Sequence, residues 1–329
     1  MFKQRRLCAM SIAPPLILAI TPPTYPSVYL REGVAFVVTG IRFKAAQGTG
    51  KLYWASSPSF AGATVVECST IGAWADAQIT ATMPAVGAVG NTGFLIVVND
   101  DGLASAGKAA TALSLLINWT YGAGSQPAGI TLAGEGAVSY GGDMLNAYDN
   151  DNTDGLSVGS QAKAYCDPFA GKTIAYMETS IDLSPIIVLD SEGFDMSRLR
   201  GAGDEMASFR AHTKNGANIS VLGKLKNGAG TSVLGDDVVI ATASAHTFRA
   251  LWQVVGDTGT IKEWVDATPL TFPIVGATWT GSGFTGQTIT YIEVGLAYNQ
   301  DGHLVGLSGF PGVDDSLILL EDNTKVWGA

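Results

Sequence analysis

Between Gly33 and Gly107 the chain divides into short apolar runs, each closed by residues that stop a strand, and no helical period joins them. Val34 to Phe43 alternates apolar side chains along one face, with Gly40 placed as a bend or bulge. The runs 51–54, 63–68 and 77–83 follow, the last two rich in β-branched residues, and Pro84 ends the third because it brings no ladder donor. Gly93 to Val98 reads as a buried strand, and Asn99-Asp-Asp-Gly102 supplies the residues of a hairpin turn. Strands this close in sequence call for an antiparallel sandwich.

Three motifs stand in order within this stretch: Thr39-Gly40-Ile-Arg-Phe43, Trp74-Ala-Asp76-Ala-Gln-Ile79 with Pro84, and Val97-Val-Asn99-Asp-Asp-Gly102. In this pattern residues 27–117 resemble the IPT/TIG family of immunoglobulin-like domains, where the tryptophan motif is one strand. The resemblance implies a spacer, docking or adhesion module with no catalytic residues.

The 329 residues suffice for two domains, and 41 glycines with only 15% charged residues fit a turn-rich all-β chain. The net charge of −10 is uneven: residues 1–120 hold eight Lys/Arg against five Asp/Glu, and 121–329 hold eleven against twenty-four. An acidic second part repels nucleic acid and anionic lipid, so no nucleic-acid partner is expected. Cys8, Cys68 and Cys166 lack Cys-x-x-Cys spacing, which argues against a zinc site or a disulfide framework.

Residues 1–26 begin with the basic and apolar regions of a secretory signal, but Pro14 and Pro15 interrupt the apolar stretch and no Ala-x-Ala site follows. The reading adopted is a retained, extended, proline-rich docking arm anchored by Phe2, Ile17, Leu18 and Tyr25. Its apolar run is too short for a membrane span. Residues 118–129, with Gly122 to Pro127, read as a linker, and 130–329 as a larger jelly-roll-like sandwich. A short helix is expected within Met196 to Phe209.

Asn146-Ala-Tyr-Asp149, Asp154-Gly155, Phe169 to Ile174, and Thr247 to Trp252 leading to Trp264 give this second part a looser resemblance to lectin-like sandwiches. Both the discoidin or galactose-binding type and the laminin-G or concanavalin type remain open. Asn150, Asn152 and Asp154 precede a glycine at alternate positions, as in a loop that wraps calcium, and a polar Asx turn is the competing reading. No other cofactor is expected. Trp252, Trp264, Trp279 and Tyr291 could form a sugar-stacking platform or belong to the core.

Ala170-Gly-Lys-Thr173 lacks the upstream glycine of a phosphate loop, and Asp257-Thr-Gly-Thr260 occurs once and reads as a turn. His212, His246 and His303 are scattered. The nearest acid pairs, Glu263 with Asp266 and Glu192 with Asp195, are three positions apart and fall on opposite faces of a strand. The chain is therefore expected not to be an enzyme.

The combination resembles modular bacteriophage virion proteins. It implies a capsid decoration, head-fibre or tail-associated protein, made in the host cytoplasm and carried on the virion. Its N-terminal part would dock on other virion proteins, and copies of itself and host-surface glycan would be further partners. The alternative is a secreted bacterial carbohydrate-binding or adhesion protein.

Overall fold

The computed structural model describes residues 13–120, 129–133, 138–141, 144–149, 162–166, 168–184, 194–201, 206–215, 217–227, 232–271, 279–296, 298–299 and 316–329. Among them the chain is all β, without an α-helix; one 3₁₀ turn spans Gly87–Val89. No helix is long and apolar enough to cross a membrane among the described residues. Two compact units divide at Leu115 and Leu116.

The first unit contains β1 (Leu16–Thr21), β2 (Leu30–Arg31), β3 (Ala35–Ile41), β4 (Lys51–Ala55), β5 (Val65–Glu67), β6 (Ile71–Ala75), β7 (Gln78–Thr82) and β8 (Thr92–Val98). It is completed by β9 (Lys108–Trp119), within which the division falls. One sheet runs β1-β3-β7-β6; in the other, β9, β8, β4 and β5 pair in turn, with β2 parallel to β9. Alternation explains the pairing: Phe36 and Val38 of β3 turn inward, as do Leu52 and Trp54 of β4 and Leu95 and Val97 of β8. Trp54 is fully buried, and its indole N–H donates to the Gly90 carbonyl at 3.1 Å. That bond lets a large amphipathic ring sit in a dry core.

Two local readings change here. Leu16–Thr21, expected within an extended arm, is an edge strand, with Ile17 in the core. Gly40 permits it, because a Cβ there would lie 2.1 Å from the Leu16 carbonyl oxygen and 2.4 Å from the Phe43 ring. The tryptophan motif is a hairpin, with Trp74 on β6 facing Ile79 on β7. Asp76 sits in its turn and accepts from the Lys44 backbone N–H at 3.0 Å.

The Asn99 turn forms as its residues dictate. Gly102, at φ 75°, donates to the Asn99 carbonyl, and the Asn99 side chain accepts from the Leu103 N–H at 3.0 Å.

The second unit holds β10 (Ile130–Ala133), β11 (Val138–Gly141), β12 (Met144–Asp149), β13 (Ala162–Cys166), β14 (Ile174–Asp182), β15 (Phe194–Gly201), β16 (Met206–Asn215) and β17 (Asn218–Lys226). It continues with β18 (Ser232–Leu234), β19 (Val238–Ala241), β20 (Ala245–Val255), β21 (Thr258–Val265), β22 (Thr268–Pro269), β23 (Trp279–Gly281), β24 (Ile289–Leu296), β25 (Tyr298–Asn299) and β26 (Ser316–Gly328). One sheet runs β10-β13-β24-β15-β16-β17-β18, and β22-β21-β20-β14-β26 belong to the other. Their shared core includes Met177, Leu199, Phe209, Phe248, Trp252 and Ile292.

The helix expected within Met196 to Phe209 is instead parts of β15 and β16. Met196 and Leu199 on β15, and Ala207 and Phe209 on β16, enter the core, and charged or polar residues alternate with them on the opposite face. A period of two outweighs the helix propensity of individual residues.

Candidate functional site: a charged sheet face with two tyrosines

On β15, β16, β17 and β24 the residues that alternate with the core are Asp195, Arg198 and Arg200; Ser208 and Arg210; Lys224 and Lys226; and Tyr291 and Glu293. Register aligns them in rows. Arg198 lies opposite both Glu293 and Ser208, Ser208 lies opposite Lys224, and Asp195 lies opposite Arg210.

Asp195, fully buried, is the centre of one cluster. Lys224 Nζ donates to its Oδ2 at 2.6 Å, Arg210 Nε lies 3.3 Å from its Oδ1, and Arg198 Nη1 is 4.0 Å from Oδ2. The Arg210 contact is an ion pair without hydrogen-bond alignment. Glu293 is the second centre, accepting from Arg198 Nε and lying 3.9 Å from Arg200 Nε. Arg198 thus joins the two carboxylates. Burial without such pairing would cost each charge several kcal/mol.

At the rim, Arg200 Nε donates to the Tyr291 hydroxyl at 3.3 Å, and Tyr165 of β13 meets Tyr291 edge to face with centroids 6.5 Å apart. Both tyrosines and Lys226 are half-buried. The face combines guanidinium forks, two ammonium groups, phenolic hydroxyls and aromatic flanks, with Asp195, Arg198, Ser208, Arg210 and Glu293 buried. Such groups suit a polyhydroxylated or anionic ligand.

The residues proposed from sequence scatter. Trp252 is a core residue, fully buried against Phe284 at 5.2 Å, so it is no stacking platform. Trp264 points away from the core on β21 and is half-buried; Trp279 lies on β23, opposite Ile261. Tyr291 is the one of the four that joins the charged face. Ile17 is buried in the core of the first unit, which removes it as a docking anchor; Leu18 is 56% exposed and Tyr25 half-buried. Phe2 and the calcium candidates Asn150, Asn152 and Asp154 lie outside the described residues, as do Glu192 and His303.

Cys68 and Cys166 are buried thiols outside any disulfide; burial pushes the Cys68 thiol up to about 12. His212 faces Asp237 at 2.8 Å. His246 lies 2.7 Å from Asp266 through Nδ1 and 2.6 Å from the Ala241 carbonyl through Nε2. Asp266, at φ 53°, occupies the turn after β21, whereas Glu263 points into the core.

Glu263 has no carboxylate oxygen in a hydrogen bond of ordinary geometry, although the Ser208 backbone amide approaches it. Burial pushes its pKa well above the usual carboxylate range. It lies among the core residues and stands apart from the charged face.

No protein-family model matches the sequence, and no curated protein does. Among solved structures, the chain is similar to SCLam, a non-specific endo-β-1,3(4)-glucanase from family GH16, at 12% identity, 65% coverage of this chain and 91% of that one, with a TM-score of 0.43. It is similar to the endo-1,3-β-glucanase from Streptomyces sioyaensis at 10% identity, 66% and 97% coverage, and a TM-score of 0.43. The CBM2 module of the Lactobacillus casei BL23 phage J-1 evolved Dit gives 8% identity, 66% and 97% coverage, and a TM-score of 0.38. The endo-glucanases overturn the expectation that the chain is not an enzyme, and that expectation is withdrawn. Its sequence argument also considered only acids on one strand, whereas Asp195 and Glu293 share a face across two strands. What the chain has in common with these structures is an all-β sandwich fold.

Proposed function

We propose that this chain is a structural protein of a bacteriophage virion, docked through its first, IPT-like unit, with the second unit presented outward to glycan. The observation that carries docking is the edge of β1, which among the described residues pairs with β3 alone. Leu16 and Leu18 are 40% and 56% exposed there, and Ile41, opposite Leu16, is 40% exposed. No charge interrupts Leu16–Thr21, and an edge strand of this composition is a ready template for a partner strand or apolar surface.

Deleting residues 1–20 would also remove the core residue Ile17, so the sharper test is Leu18→Glu. Particles assembled with that variant should carry markedly less of the protein while its melting temperature holds. Normal incorporation would sink the docking model.

A second reading, a carbohydrate-binding or adhesion protein secreted by a bacterium, draws on the charged face with Tyr165 and Tyr291 and does not need the β1 edge. Both readings assign glycan binding to that face. Mass measurement of the natural protein's N-terminus, together with its recovery from particles or from culture medium, separates them.

A further inference from the structure

We propose that His246 is a proton-operated latch between the two sheets of the second unit. It ties β19 to the turn after β21 when its imidazole carries both hydrogens, and drops one tie when the ring loses a proton. β19 pairs with β17 in one sheet and β20 lies in the other, so the step from Ala241 to Ala245 passes between sheets. His246 stands just beyond that step. The period of two puts it on the inward face of β20 with Phe248, Ala250 and Trp252, and its side chain is 12% exposed. Nε2 lies 2.6 Å from the Ala241 carbonyl at the end of β19, and Nδ1 lies 2.7 Å from Asp266 Oδ2.

Both partners can only accept. A carbonyl oxygen has no hydrogen to give, and Asp266 is a carboxylate: against the burial that opposes it, hydrogen bonds from His246 and the Thr247 amide hold its carboxyl below the usual range. Two hydrogen bonds therefore need a hydrogen on each ring nitrogen, which is the cationic imidazolium. A neutral ring has one. It stays with the carboxylate, where the bond is charge-assisted, and leaves a bare Nε2 lone pair against the Ala241 oxygen.

The charged groups nearby are otherwise engaged. β19 carries none; the β14 residue opposite His246 is Ile181, and Asp182 beside it accepts from the Ser184 amide. Arg249, on the outward face of β20, donates to the Asp266 carbonyl and to Glu178, and Asp237, before β19, faces His212. The Thr242 amide and hydroxyl donate to the Ala217 carbonyl at 2.8 and 3.1 Å, so β19 keeps its place in its own sheet when the latch opens. What loosens is the join at residues 242–245. Imidazole exchanges its proton between about pH 5 and 8. The stabilisation is present on the acidic side of that window and is lost as pH rises through it.

The test is a pH series on the full chain. With its histidines isotopically labelled, NMR at about pH 5.5 should show both ring N–H hydrogens of His246 shielded from solvent exchange. At about pH 8.5 only the Nδ1 hydrogen should remain, the signals being assigned through their proximity to Ala241 and Thr247. Over the same range the unfolding equilibrium constant of the second unit should rise about fivefold more in the unmodified chain than in His246→Gln, with Asp266→Asn between them. A single shielded hydrogen at both pH values overturns the latch. So does an equal rise in the unmodified chain and His246→Gln. The first readout uses the unmodified chain and decides the matter even where a variant fails to fold.

Discussion

Trp74 and Ile79 face each other across the β6–β7 hairpin, and the Trp74 indole N–H donates to the Phe43 carbonyl at 3.0 Å. The ring covers the core beside the fully buried Ile79 while its polar edge ties the hairpin to the segment after β3. Trp74→Phe keeps most of the apolar contact and loses the bond. It should lower stability by about 1 kcal/mol, read by denaturant unfolding with an unchanged m-value.

Gly40→Ala tests the close approach of β1. A Cβ at this position meets backbone as well as the Phe43 ring, so β1 must move away from β3. Limited proteolysis should then cut before residue 30 far faster than in the unmodified chain, and unfolding should shift by roughly 1–3 kcal/mol. An unchanged cleavage pattern would show that the strand tolerates the methyl group.

Asp195→Ala removes the carboxylate shared by Lys224, Arg210 and Arg198. Loss of one partner from a buried ion-pair cluster costs roughly 3–5 kcal/mol. Thermal unfolding should show a large drop. An effect no greater than that of an exposed ion pair would mean that water already screens the cluster.

The charge rows of this face were only partly legible. Arg198 and Arg200 around Leu199, Arg210 beyond Phe209, and Lys224 and Lys226 around Leu225 carry the two-residue alternation of strands, which was available in the sequence. What joins them is register between β15, β16, β17 and β24, which depends on long-range pairing and leaves no local mark. The strands around Phe36, Trp54 and Val97, and the Asn99 turn, were readable because alternation and turn chemistry are local. Trp252 illustrates the limit of composition: a tryptophan suited to stacking on sugar is equally suited to a sandwich core, and only the inward face of β20 decides.

Two carboxyls should give the pH profile of stability opposite slopes. Glu263 has a raised folded pKa, so its contribution is fully present below the unfolded value of about 4.3 and is lost as pH rises toward the folded value. Glu263→Gln should therefore flatten the decline that sets in as pH rises above about 4.3, read by melting temperature across pH. An unaltered slope would show that Glu263 is not the group responsible.

Asp257 has the reverse sign. The Thr285 hydroxyl, followed by the Gly283 and Thr285 backbone amides, holds its carboxyl below the usual range. Its contribution is present above the unfolded value of about 3.9 and disappears as pH falls through the folded value. Asp257→Asn should weaken the fold at neutral pH and reduce the loss seen on acidification.

A sheet face organised around the inaccessible carboxylate of Asp195 divides into a fixed centre and a tolerant border. Replacing the centre disturbs three cations at once, whereas a change at Tyr165, Tyr291 or Lys226 leaves the Asp195 cluster in place. Variation among descendants of this chain should accumulate at that border, leaving the inner lattice of charges as the inherited frame.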